Sequence, residues 1–87
     1  MILTGYPGVS PYLYKTVGGY ALILVNTTVE VFGEIRFDIR NIPVGAIRAV
    51  GKDGQIREAA FTREGGTVVV KERLDYLSTC VLLLDVI

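Results

Sequence analysis

Tyr12 and Tyr14 are the side chains best spaced for surface chemistry. On a strand, residues two apart project to the same face, so the two rings would lie side by side as a platform on which a sugar ring can stack. Tyr20 lies just beyond Gly18-Gly19 and completes this candidate ligand-binding set from across a hairpin. The competing role for strand tyrosines is packing in a core or a domain contact, and the chain has no tryptophan, the strongest stacking side chain.

Acid, base and metal chemistry has far less to work with. There is no histidine, so the commonest general base and metal ligand is missing, and neither a Ser-His-Asp nor a Cys-His arrangement can form within the chain. The single cysteine, Cys80, has no internal disulfide partner and is expected as a small buried hydrophobe. The carboxylates are Glu30, Glu34, Asp38, Asp53, Glu58, Glu64, Glu72, Asp75 and Asp85. Most sit beside a basic residue or in a turn, which marks solvated strand charge better than a glycosidase pair. Asp85 differs: it interrupts the apolar Val81-Leu-Leu-Leu-Asp-Val-Ile87 as an edge-strand gatekeeper, as the partner of an arginine across an interface, or in a frayed end. No catalytic residue, metal site or cofactor is expected. Asn26-Thr27-Thr28 matches the glycosylation acceptor pattern, which is short enough to recur by chance.

The elements that carry these residues read as strands. Tyr12 to Val17 alternates, and Gly18-Gly19 signals a tight hairpin built on positive φ. Tyr20 to Val25 is continuously apolar, so it is expected at the centre of a sheet and covered on both faces. After a corner at Asn26 to Thr28, Gly33, Ile35, Phe37 and Ile39 share one face, and Glu34, Arg36, Asp38 and Arg40 the other. Asn41-Ile-Pro43 breaks the run. Val44 to Gly51, a Lys52-Asp-Gly54 turn, Ile56 to Arg63, a Gly65-Gly66 turn and Thr67 to Lys71 follow. Leu74 to Leu77 is expected as a crossing loop, with Tyr76 plugging the end of the fold, and Ser78 to Ile87 as the last strand. About seven or eight short strands at this spacing predict an all-β antiparallel sandwich, with a small closed barrel as the alternative. Residues 1–11, rich in Pro and Gly, read as a linker-like lead-in with at most a short edge strand at Ile2 and Leu3. Residues 12–87 form a single domain.

The totals point outward. Of 87 residues, 51% are hydrophobic and 21% charged, with mean hydropathy +0.46, more apolar surface than so small a sandwich can hide. The surplus predicts an apolar face, carried by Val81 and Leu83 or by Leu82, Leu84 and Val86, that docks on a neighbouring domain or another copy of the chain. A formal net charge of zero and no basic stripe give nucleic acid or an anionic membrane nothing to grip, and the apolar runs are far shorter than the ~20 residues of a membrane-spanning helix.

Three segments carry a family likeness. Tyr12-Leu-Tyr-Lys15 with Gly19-Tyr-Ala-Leu-Ile-Leu-Val-Asn-Thr-Thr28 is similar to the opening hairpin and "V-N-x-T" corner of the small C-terminal β-sandwich domains that follow the catalytic barrel in multidomain glycoside hydrolases. Gly33-Glu-Ile-Arg-Phe37 is similar to their next strand. Asp53-Gly-Gln55 through Val68-Val-Val70 to Ser78-Thr-Cys-Val-Leu82 is similar to their closing hairpins. The resemblance implies a non-catalytic accessory domain that packs beside a catalytic domain located elsewhere.

Overall fold

The computed structural model describes residues 2–3, 6–39, 43–51 and 53–87. Arg40, the Asn41-Ile42 break and Lys52, named above, lie outside the described residues. Among the described residues nine strands form two antiparallel sheets and there is no helix. In chain order they are β1 (Ile2–Leu3), β2 (Val9–Lys15), β3 (Gly19–Asn26), β4 (Ile35–Asp38), β5 (Val44–Val50), β6 (Ile56–Glu58), β7 (Phe61–Glu64), β8 (Thr67–Val70) and β9 (Thr79–Val86). The larger sheet runs β2-β3-β9-β5-β6 and the smaller β1-β4-β8-β7, three strands wide apart from the two-residue β1. The sheets are open, so the fold is a sandwich and the barrel alternative falls away.

Alternation dictates the core. Leu22 and Leu24 of β3, Ile47 and Ala49 of β5, and Leu82 and Leu84 of β9 point inward from the larger sheet; Ile35 and Phe37 of β4 and Val68 and Val70 of β8 meet them. Ile35, Phe37 and Ile39 are buried together, as the period-two pattern requires.

Four expectations need correcting. The lead-in is not separate from the domain: the short edge strand expected at Ile2–Leu3 forms and pairs with β4, but β2 already begins at Val9, a core residue. Tyr6 packs its ring edge-on to Phe32, donates its hydroxyl proton to the Glu34 carbonyl at 2.9 Å and accepts the Arg36 N–H at 2.9 Å. Proline and glycine there shape a path along the sandwich, with Gly8 at φ 82° before β2. Next, Ile56 to Arg63 is two strands in different sheets. The Ala59 N–H still bonds Ile47 of the larger sheet, whereas the Ala60 carbonyl accepts from Lys71 beside the smaller one. Two alanines, with no turn signature and little bulk, make that corner.

The Gly18-Gly19 hairpin forms without positive φ at either glycine. Gly19 is required for another reason: a Cβ there would lie 1.9 Å from the Leu84 carbonyl oxygen of β9. Finally, Tyr76 does not plug the sandwich; it is 57% exposed on the loop before β9.

Candidate functional site

The two outer faces of the sandwich differ in chemistry. On the smaller sheet, a depression is lined by Glu34, Arg36, Thr62, Glu64, Thr67 and Lys71 among others. Lys71 Nζ donates to Glu34 at 3.0 Å and Arg36 approaches the same carboxylate at 3.5 Å. The hydrogen bond and charge of Lys71, with Arg36 behind, hold the Glu34 carboxyl below the usual carboxylate range. These ion pairs are the solvated strand charges expected from the alternating signs.

The outer face of the larger sheet is apolar. Strand register builds it in rows across the five strands. One row reads Tyr12, Ile23, Val81, Val50, Ile56, and is apolar from edge to edge. The next reads Tyr14, Ala21, Leu83, Arg48, Glu58, and a third places Asp85 between Gly19 and Ala46. Tyr12, Tyr14 and Ile56 are 49%, 56% and 52% exposed, and Ala21, Ile23, Val50, Val81 and Leu83 are half-buried. Side chains in a sheet shield their neighbours, so partial burial arises here with no third layer above. Of the two sets considered for a docking face, Val81 and Leu83 point out, and Leu82 and Leu84 are sealed in the core.

Three positions therefore change meaning. β3 is central, between β2 and β9, yet covered on one face only, because the described chain has two layers. Tyr20 pairs with Lys15 on the inner side and packs against the core, so it lies on the opposite face from Tyr12 and Tyr14. Asp85 belongs to β9, the middle strand, and so guards no edge. Both of its oxygens take hydrogen bonds from Arg48 on β5, at 2.9 Å each.

The sheet edge beside the tyrosines is poorly suited to strand addition. Even-numbered residues of β2 face β3, as the Thr16 N–H to Gly19 carbonyl bond shows, and odd-numbered ones face outward. Pro11 has no N–H, and the Val9 N–H is taken by the Tyr6 carbonyl at 3.1 Å. Only Leu13 and Lys15 of β2 present outward donors, the usual guard on an edge.

The remaining chemical groups serve structure. Asn26 is 2% exposed, and its Nδ2 donates to the Glu30 and Asp75 carbonyls, both at 2.9 Å. Its Oδ1 accepts from the Thr28 N–H at 2.9 Å and hydroxyl at 2.7 Å. With both amide protons engaged in the interior, the glycosylation pattern is a loop lock in the folded chain. Cys80 is half-buried at the core margin; burial foremost, then the Glu72 carboxylate, pushes its thiol up to about 11, away from the thiolate a nucleophile needs. Arg57 clasps Glu72 at 2.6 and 2.9 Å, and Arg73 holds Asp75 at 3.1 Å. Among the described residues no group of three His, Cys, Asp or Glu is placed to hold a metal ion.

A second exposed apolar group was not foreseen. Val29, Val31, Tyr76 and Leu77 are 80%, 44%, 57% and 65% exposed on two loops tied by the Leu77 N–H to Thr28 carbonyl bond and the Phe32–Leu74 bridge. Leu77 holds φ at 48°, rare for a side chain of its size. Short loop residues carry no periodicity, so nothing in their spacing announced the cluster.

The fold and its surfaces define a two-sheet all-β domain with one charged and one apolar outer face. Comparison with protein families, with curated proteins and with solved structures found no match.

Proposed function

We propose that this domain is a non-catalytic assembly module of a carbohydrate-active enzyme, packing the outer face of its larger sheet on an apolar protein surface. The observation that carries the docking role is the apolar row Tyr12, Ile23, Val81, Val50, Ile56, open across all five strands. A face of this size and chemistry on a small chain is characteristic of a protein contact. The link to carbohydrate enzymes rests on the resemblance of the opening hairpin and the Asn26 corner to glycoside hydrolase accessory domains.

The test uses an apolar dye, anilinonaphthalene sulfonate, on dilute folded protein. The wild-type chain should bind it and Leu83→Lys should not. Absence of binding, or equal binding by the variant, overturns the docking role, and turnover of aryl glycosides by the purified chain overturns the non-catalytic one.

Tyr12 and Tyr14 favour a second reading, a carbohydrate platform, because both rings are exposed on one face. Oligosaccharide binding that disappears in a Tyr12→Ala, Tyr14→Ala double variant would place it first. The neighbours of the two rings, Ser10, Ala21 and Ile23, offer one hydroxyl between them to orient a sugar, which is why a protein contact is preferred.

A further inference from the structure

The smaller sheet has one edge that its strands leave unfinished. In β4 the odd-numbered residues bond toward β8, as the Ile39 N–H to Gly66 carbonyl bond at 2.8 Å shows, so Glu34, Arg36 and Asp38 turn their backbone groups the other way. β1 covers that side for two residues only, Ile2 opposite Asp38 and Leu3 opposite Phe37. The Glu34 carbonyl and the Arg36 N–H lie beyond its reach.

Tyr6 takes up both. Its hydroxyl donates to the Glu34 carbonyl and accepts from the Arg36 N–H, at 2.9 Å each, so one phenol oxygen supplies the donor and the acceptor that a strand residue would bring. The ring is held in place by its edge-on contact with Phe32, centroids 4.8 Å apart, at the margin of the core. We infer that Tyr6 is a guard: its hydroxyl completes the β4 edge where β1 ends, and keeps the smaller sheet from adding an extended segment of another chain. This role is independent of what the larger sheet packs against.

The other edges are protected by different means. β2 has Pro11 and the Val9 N–H bond to Tyr6, β6 is three residues long and carries Arg57 and Glu58, and β7 carries Arg63 and Glu64. A bulge in β4 would turn Ile35 or Phe37 out of the core, where both are fully buried. Its edge is closed by bonding instead, through a side chain that the turn before β2 delivers, with the Val9 N–H on the Tyr6 carbonyl and Gly8 at φ 82°.

Tyr6→Phe tests this, since it keeps the ring and removes both bonds. Ser78→Ala is the control: it loses the 2.8 Å bond from its hydroxyl to the Asp75 carbonyl and leaves the β4 edge closed. Amide hydrogen exchange on the full chain should show the Arg36 N–H exchanging roughly tenfold faster in Tyr6→Phe, with the Phe37 N–H, which faces β8, unchanged. From about 1 to 200 µM, Tyr6→Phe should form assemblies that bind thioflavin T, and wild type and Ser78→Ala should not. An unchanged Arg36 exchange rate overturns the guard. So does faster exchange without thioflavin-binding assembly, which would leave Tyr6 as an anchor of the chain alone. Circular dichroism establishes that each variant is folded. If Tyr6→Phe is not, exchange in the wild type decides: the Arg36 amide should be protected, and one as fast as in an unfolded chain overturns the guard.

Discussion

Arg48 and Asp85 form a bidentate pair across neighbouring strands, Nε to Oδ2 and Nη2 to Oδ1 at 2.9 Å each, on the outer face of the larger sheet. The two are diagonal in register, since Arg48 stands opposite Leu83 and Asp85 opposite Ala46. A fork-to-carboxylate fit of this kind satisfies both groups without outside help, so the charges can be covered with less desolvation cost than separated ions.

For the isolated fold this pair is worth little. Its side chains are 41% and 37% exposed, and such pairs contribute about 0.2 to 1 kcal/mol. Asp85→Ala should lower the stability of the folded monomer by no more than that in a denaturant titration. A loss well above that would mean that the pair is screened from water more than its exposure indicates.

Asn26 should be among the most sensitive positions in the chain. Its amide joins the β3 end to the Glu30 and Asp75 carbonyls, and no water is available to replace it at 2% exposure. Asn26→Ala should cost about 2 to 4 kcal/mol of folding stability. Asn26→Asp should cost at least as much, since a carboxylate would then face two carbonyl oxygens. Chemical denaturation at neutral pH measures both.

Gly19 and Gly18 separate two uses of glycine. Gly19→Ala drives a methyl into the Leu84 carbonyl of β9 and should destabilise by about 3 kcal/mol, or displace β2 and β3 from the sheet. Gly18→Ala has no atom within 4 Å of the new Cβ and should change stability by less than about 0.5 kcal/mol. Thermal melts of the two variants side by side check the difference.

Cys80 gives the alkaline limb of stability a defined sign. Its thiol is raised from an ordinary 9.0 to about 11 by burial and by Glu72, so the unfolded chain loses this proton before the folded one. The contribution is complete below about pH 9 and is lost as pH rises through about 11. Wild-type stability should fall more steeply over that window than Cys80→Ala stability. Parallel slopes in denaturant midpoints against pH would show that the thiol is not held protonated by the fold.

Much of the architecture was legible from residue order. Period-two alternation at Ile35, Phe37 and Ile39 placed β4 correctly because one face had to be buried. Asp53-Gly54 marked a real turn, with Gly54 at φ 82° and the Gln55 N–H capped by Asp53 Oδ1 at 3.1 Å. The surplus of apolar residues also announced an open face, and Val81 with Leu83 was one of two sets named for it.

Which face, and in whose company, was settled by register. Sequence spacing puts Tyr12 and Tyr14 together and places Tyr20 nearby, but a hairpin that pairs Lys15 with Tyr20 sends Tyr20 to the core side. Asp85 looks like an edge residue until β9 is seen between β3 and β5, a placement that depends on strands far away in the chain, Gly19 and Ala46 being its partners there. The change of sheet at Ala59 and Ala60 likewise left no local mark. Local composition determines that strands form and which side chains each can bury. The order in which strands meet, and hence the apolar row from Tyr12 to Ile56, is decided by long-range hydrogen bonding and by the single core that both sheets share.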